Sequence, residues 1–256
     1  MRQHEQHFLV TGAGTGIGRA IALRLAAEGA SLSLLARNAD RLQDTAVAAV
    51  EIGAPLVHVV TADIRDRAAV DAAIDEAAVA LGPLRGIIAN SGIGGENTPG
   101  EGDRFDDIIA TNLIGTYSCL RAAQRNLAAD GPRHMVVIAS ILGRFGVPGY
   151  TGYCASKTGL IGLTRALAQE LAAEDVQVNA ICPGWVNTEM ARQGIAAMAE
   201  GMGITYDEAY KMAMSAVPMG RMSEPEHIAG MIAWLISEDG RGVTGQSLDM
   251  NNGAWM

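Results

Sequence analysis

The sequence predicts an α/β fold, a parallel sheet doubly wound with helices on both faces. Two observations carry this reading. Short apolar runs alternate with longer Ala- and Leu-rich stretches along the whole chain, the rhythm of repeated strand–helix units. The runs are also apolar at consecutive positions rather than at every second one, as strands covered on both faces require. With 256 residues, 49% apolar and only 4% aromatic, the chain has ample small aliphatic material for helices packed closely on a sheet. One α/β domain can reach about 250 residues. Residues 1–256 are therefore expected to form a single dinucleotide-binding domain, with residues 185–222 as a helical lid.

Taken in order, strands are expected at His7–Val10, Ser31–Leu35, Leu56–Thr61, Gly86–Ala89, Met135–Ala139, Val176–Ile181 and Ser247–Met250. After the first, Ile17, Ile21 and Leu25 make a helical stripe, and Gly29 can end that helix. Ser223-Glu224-Pro225-Glu226 reads as a capping box opening a helix through Ile236. From Trp185 to Met222 no strand is expected. That stretch carries Met190, Met198, Met202, Met212, Met214, Met219 and Met222. Methionines make a soft surface for irregular apolar ligands, and the packing of a helical lid explains them equally well.

A formal charge of −9 gives no general attraction to phosphate backbones or anionic lipids. Nucleic acid and membrane surfaces are accordingly not expected as partners. The start MRQHEQHFLV has no apolar core of a secretory signal and reads as a solvated leader, with His4 and His7 not expected to bind metal. No stretch reaches the roughly 20 apolar residues of a membrane span. Cys119, Cys154 and Cys182 are odd in number and match no zinc spacing, so a cytoplasmic location is the simplest expectation. Cys154 reads as a small thiol packed on a helix.

Thr11-Gly12-Ala13-Gly14-Thr15-Gly16-Ile17-Gly18 directly follows the first strand and opens the first helix. Glycines allow a tight turn and close approach of a pyrophosphate, and the helix N-terminus stabilises the anion. Gly12, Thr15, Gly16, Ile17 and Gly18 are the expected contacts. The second strand ends Leu34-Leu35-Ala36-Arg37-Asn38. An acid at that end would bind ribose hydroxyls and mark NAD. Ala36 leaves space instead, and Arg37 can pair with a 2′-phosphate. NADP is therefore favoured, with NAD possible and a merely solvated Arg37 the alternative. Asp63, after the third strand, can accept from the adenine amino group or cap a helix; Ile64 beside it is a further expected contact.

Tyr153 and Lys157 lie four apart at the start of a helix and so share one face. A free tyrosine has a pKa near 10, and a nearby ammonium favours its phenolate. Ser140 stands at the end of the Met135–Ala139 strand, where the crevice of a doubly wound sheet opens, and its hydroxyl can bond a substrate oxygen. Asn112, in a helical segment, can hold a water that links Lys157 to solvent.

In this combination the sequence resembles the short-chain dehydrogenase/reductase family, in its short single-domain branch. The resemblance runs from Thr11 to Gly253. Thr11–Gly18 is similar to the family's cofactor loop, and Asn90-Ser91-Gly92 to its motif after the fourth strand. Asn112, Ser140, Tyr153 and Lys157 fall in the family's catalytic order, and Pro183-Gly184 with Thr188 resembles the segment that clasps the nicotinamide amide. The resemblance implies a Rossmann fold without metal. It implies that Tyr153 protonates the carbonyl oxygen, Ser140 polarises it, Lys157 binds the nicotinamide ribose and lowers the tyrosine pKa, and Asn112 anchors a relay water. Asn90, Val186 and Thr188 join the expected cofactor contacts. Leu142 and Trp185 join Ser140 and Tyr153 on the substrate side. A homotetramer is also implied. The chain departs from the family at Ala89, where a second asparagine is usual, and at Asn251-Asn252-Gly253, where Asp-Gly-Gly is usual.

The expected activity is NAD(P)-dependent interconversion of a ketone and a secondary alcohol, in the manner of a ketoreductase or 3-oxoacyl reductase acting on a small molecule. Residues 206–221 resemble the lids of such reductases and of hydroxybutyrate dehydrogenases. The alternatives are an NAD-dependent secondary-alcohol or hydroxy-acid dehydrogenase, and a non-catalytic dinucleotide sensor.

Overall fold

The computed structural model describes residues 6–256. Among them, seven strands form one parallel sheet in the order β3-β2-β1-β4-β5-β6-β7. They are β1 (His7–Thr11), β2 (Ser31–Ala36), β3 (Val57–Thr61), β4 (Gly86–Ala89), β5 (Arg133–Ile138), β6 (Val176–Pro183) and β7 (Ser247–Met250). The helices are α1 (Gly16–Ala27), α2 (Ala39–Ile52), α3 (Arg67–Leu81), α4 (Phe105–Ile109), α5 (Thr116–Arg125), α6 (Thr151–Leu171), α7 (Glu189–Met202), α8 (Tyr206–Ser215) and α9 (Pro225–Leu235).

The continuous apolar runs are explained by two cores. Phe8, Val10, Leu32 and Leu34 face α1, α2 and α9, where they meet Ile21, Leu25 and Ile232. Leu9, Leu35 and Ile87 face the other way, toward α3, α5 and α6, with Ile74, Leu120 and Leu160. Successive strand residues point to opposite faces, so a strand between two helix layers has no solvent side to mark with polar residues. A third, smaller core joins α7 and α8 through Ile195, Ala209, Met214, Val217 and Met222.

Local signals account for the helix ends. Gly29, at φ +86°, follows α1 where expected. Asn38 caps α2 by accepting from the Arg41 N–H at 2.9 Å. Three expectations change. The cap of α9 is Glu224, whose N–H donates to His227 Nδ1 at 3.1 Å, and not Ser223. Ser223 is drawn into a bridge beside Val186, its N–H donating to the Trp185 carbonyl at 2.9 Å. Asp66, not Asp63, caps α3. His7 is no leader residue: it opens β1, buried, with ring nitrogens 2.8 Å from the Gly82 carbonyl and 2.8 Å from Ser33 Oγ. His4 lies outside the described residues.

His134, in β5, is 3% exposed. Burial, with help from Arg85 and Arg241, holds its imidazole down at about 4. An unfolded histidine titrates near 6.5, so between about 6.5 and 4 the unfolded chain binds a proton that the fold does not. Stability is then lost as pH falls through that window, by roughly 3 kcal/mol at most from this group. We expect the melting temperature to drop between pH 7 and 4.5, and His134→Gln to make the drop shallower. Equal slopes in the two proteins would exclude His134 as a source.

Candidate active site

β1 and β4 are neighbours, yet the chain leaves them in opposite directions, toward β2 and toward β5. That reversal opens a crevice at the carboxyl ends of the strands. The expected site residues gather there because each follows a strand end: Thr11–Gly18 after β1, Asn90–Gly92 after β4, Ser140 after β5, and Gly184–Thr188 after β6.

The glycine loop has the form an anion needs. Gly12 and Gly16 have φ of +66° and +50°, in the left-handed region. A Cβ at Gly18 would stand 2.2 Å from the Gly12 carbonyl oxygen. Thr15 makes no side-chain cap on α1, and no acidic residue occupies its first turn, so the leading N–H groups keep their capacity for a phosphate. Thr11 Oγ1 accepts from the N–H groups of Asn90 and Ser91 at 3.0 and 2.9 Å, and Asn90 Nδ2 donates to the Thr11 carbonyl at 3.0 Å. Asn90 thus fastens the loop to β4. A Cβ at Gly16 would lie 3.1 Å from Thr188 Cγ2, so the loop faces the start of α7 directly. This backbone cradle, closed to larger side chains, fits the pyrophosphate of a dinucleotide.

At the far end of the cradle, Arg37 is exposed just beyond β2. Asp63 is held at about 2, chiefly by its hydrogen bonds with Arg65, at 2.6 Å for the shortest. It is therefore an anion at neutral pH, already paired. Ile64 and Val186 turn their side chains into the cores, and the Val186 carbonyl accepts from the Thr188 N–H at 2.7 Å.

Tyr153 and Lys157 stand one turn apart on α6, with Lys157 Nζ 5.5 Å from the centre of the tyrosine ring. The ammonium is 4% exposed and donates to the Ile138 carbonyl at 2.9 Å. Burial lowers its pKa to about 8. Ser140 stands beside the Tyr153 side chain, and its Oγ accepts from the Leu142 N–H at 3.1 Å. Burial pushes the Tyr153 pKa up, and Ser140 offsets part of that rise. Without a second positive charge beside it, the phenol stays protonated.

Asn112 is fully buried in a π-helical turn, residues 110–115, rather than in an ordinary α-helix. Its Oδ1 accepts from the Ile93 N–H at 2.8 Å; its Nδ2 donates to the Ile93 carbonyl at 2.9 Å and to Ser156 Oγ at 3.2 Å. Asn112 ties the segment after β4 to α6, and Gly92 leaves a gap between Asn112 Oδ1 and Lys157 Nζ: a Cβ there would lie 3.1 and 3.7 Å from them.

Three residues were given no place of their own at the site from sequence. Asn97, 5% exposed, accepts from the Gly152 N–H at 2.9 Å and bonds Thr151, fixing the start of α6. Met190 sits over Gly94, where a Cβ would meet its sulfur at 2.9 Å. Arg41 lies against Gly14 of the cofactor loop, and its guanidinium pairs with Glu189 at 3.2 Å. Met190 showed in the sequence only as one of the lid methionines, and Arg41 only by its i, i+4 spacing from Arg37 across the start of α2.

The family model described as enoyl-(acyl carrier protein) reductase matches residues 12–254. Similarity extends over 97% of the chain, at 30% identity, to a 3-oxoacyl-[acyl-carrier-protein] reductase FabG of Staphylococcus aureus, of which it covers 97%. The chain belongs to the short-chain dehydrogenase/reductase family. As a member it is an NAD(P)-dependent oxidoreductase with a Rossmann-like sheet. It is also 33% identical to a 2-dehydro-3-deoxy-L-rhamnonate dehydrogenase (NAD(+)) of Sphingomonas sp. (strain SKA58), over 96% of this chain and 93% of that one. Among solved structures, an actinorhodin polyketide ketoreductase variant with NADPH superposes with a TM-score of 0.91 at 32% identity, covering 98% of both chains.

Proposed function

We propose that this enzyme reduces a ketone, of the 3-oxoacyl type or a close analogue, to a secondary alcohol, with Tyr153 as the acid. The observation that carries this reading is the place of Ser140 beside the Tyr153 side chain, with the Lys157 ammonium 5.5 Å from the ring centre. Two hydroxyls so placed can converge on one carbonyl oxygen. The nicotinamide supplies the hydride to the carbonyl carbon. Ser140 orients the oxygen and donates to it as negative charge develops there. Tyr153, kept protonated by burial, transfers its proton to that oxygen. Lys157 then stabilises the phenolate left behind, its buried charge acting in a poorly screened setting. Asn97 and Asn112 hold both ends of the segment that frames this group. Residues 185–222 form the lid over the substrate, with Leu142, Trp185 and Met190 toward it.

The test is NADPH oxidation with acetoacetyl-CoA, ethyl acetoacetate and a cyclic diketone, against crotonyl-CoA as an enoyl substrate. We expect turnover of at least one ketone and none of the enoyl thioester. Tyr153→Phe is expected to lower kcat by about 10²–10⁴, the scale of general acid catalysis, with NADPH affinity by fluorescence titration retained. Near-normal turnover in that variant would remove the mechanism.

NADP is the coenzyme we favour. Ala36 presents no carboxylate to repel a 2′-phosphate, and Arg37 is exposed beside it. Arg41 lies with its Cβ against Gly14, but its guanidinium is paired with Glu189 at 3.2 Å, which leaves Arg37 as the charge at that end. One similar protein carries NADPH and another is named for NAD(+), so the charges of this chain decide. A charge-assisted pair is worth about 1.5–3 kcal/mol, or roughly tenfold to a hundredfold. We expect a higher kcat/KM with NADPH than with NADH, and reversal of that order by Ala36→Asp with Arg37→Ala. A wild-type preference for NADH would reduce Arg37 to a solvated charge.

We also read the protein as a homotetramer of the cytoplasm. In support, Trp255 remains 42% exposed after stacking on Phe145, and Ile114 and Val79 stand exposed on the α3–α5 side. Light scattering is expected to give about four times the chain mass; a monomer at micromolar concentration would end this reading.

A further inference from the structure

We propose that the C-terminal turn, residues 251–255, is a clamp that sets the position of the lid, with Asn252 as its positioning residue. The proposal rests on reading residues 185–222 as the substrate lid.

Asn252 has φ +54°. A residue with a Cβ is disfavoured there, and glycine adopts it freely. The family's usual Asp-Gly-Gly would put glycine at this position. What Asn252 adds is an amide: Nδ2 donates to the Arg221 carbonyl at 2.8 Å. Its backbone carbonyl accepts from the Met219 N–H at 3.2 Å. Both partners belong to the last turn of the lid, whose Val217 and Met222 lie in the lid core, with Ala254 packed against it. Gly253 admits the contact, since a Cβ there would stand 3.1 Å from Pro218.

The same short segment is anchored on two other walls of the site. Asn251, 7% exposed, accepts from the Gly253 N–H at 3.0 Å and donates to the Trp255 carbonyl at 3.0 Å, knitting the turn. It packs on Gly184, where a Cβ would meet its own at 2.9 Å, and the Gly184 N–H donates to the Met250 carbonyl at 3.0 Å. Trp255 stacks on Phe145 with centroids 5.3 Å apart. Phe145 follows Arg144, which binds Asp249 at 3.0 and 3.1 Å and ends the loop begun by Ser140. The lid exit is therefore measured against the serine loop and the segment after β6 through one turn. Asn252 is the member of that turn that hydrogen-bonds the lid through its side chain.

Two variants separate this role from backbone strain. Asn252→Gly removes the amide and eases the φ; Asn252→Asp keeps the shape but presents a carboxylate to a carbonyl. Hydrogen exchange of residues 206–222 and kinetics with the fastest ketone of the panel above are measured for both. We expect Asn252→Gly to melt at the same temperature or higher. In both variants residues 217–222 should exchange several-fold faster and KM for the ketone should rise roughly two- to tenfold, the scale of one net hydrogen bond. The kcat and the NADPH dissociation constant should stay near wild type, since Asn251 still holds Gly184. Unchanged exchange in both variants would overturn the clamp. Faster exchange with an unchanged KM would overturn the lid reading, and the clamp's role in substrate binding with it.

Discussion

A wholly parallel sheet ends all its strands on one edge, and this protein depends on that constraint. Loops leaving β1, β4, β5 and β6 are forced into the same strip of surface, although they are far apart in sequence. The reversal of direction between β1 and β4 keeps that strip open at its centre. Thr11 and Asn90 hold its two sides together with short hydrogen bonds. Everything chemical is then hung from the rim: glycine backbone for phosphate on one side, hydroxyls and an ammonium on the other.

The electrostatics of the rim differ from a simple picture of lysine activating tyrosine. In this fold burial acts on both groups, raising the tyrosine pKa and lowering the lysine pKa. It holds Tyr153 neutral and pulls Lys157 down to about 8. Each is thereby biased toward its uncharged form by the same loss of water.

Much of this was legible in the sequence because the relevant signals are local. All seven strands were readable within two residues at each end, since a two-faced strand must be apolar throughout. Thr11–Gly18, Ser140, Tyr153 and Lys157 announce themselves by spacing and by their place at strand or helix ends. What escaped depends on contacts between distant segments. Asn97 works through Gly152, Met190 through Gly94, and Arg41 through Gly14 and Glu189. None of these pairs is adjacent in sequence. The cap at Ser223 failed for a similar reason: a bridge to the Val186 segment competed for its backbone and won. The partner of the Asn112 amide, Ile93, offers only backbone atoms, which a sequence does not display.

The wide turn at residues 110–115 sets a limit of another kind. A regular α-helix advances about 100° per residue, so one extra residue in a turn gives the helix before it and the helix after it separate rotational phases. Ile108 on α4 is buried, Asn112 points to Ile93, Gly115 lies against Ile64, and Cys119 and Leu120 on α5 face the core. Ile108, Asn112, Gly115 and Cys119 nevertheless keep the i, i+4, i+7, i+11 spacing of one helix face. Shortening the segment by one residue would rotate Asn112 away from its backbone partners or α5 away from its core. This stretch is thus constrained in length more strictly than in composition, and insertions or deletions accumulated by descent should be carried by the loops on either side of it.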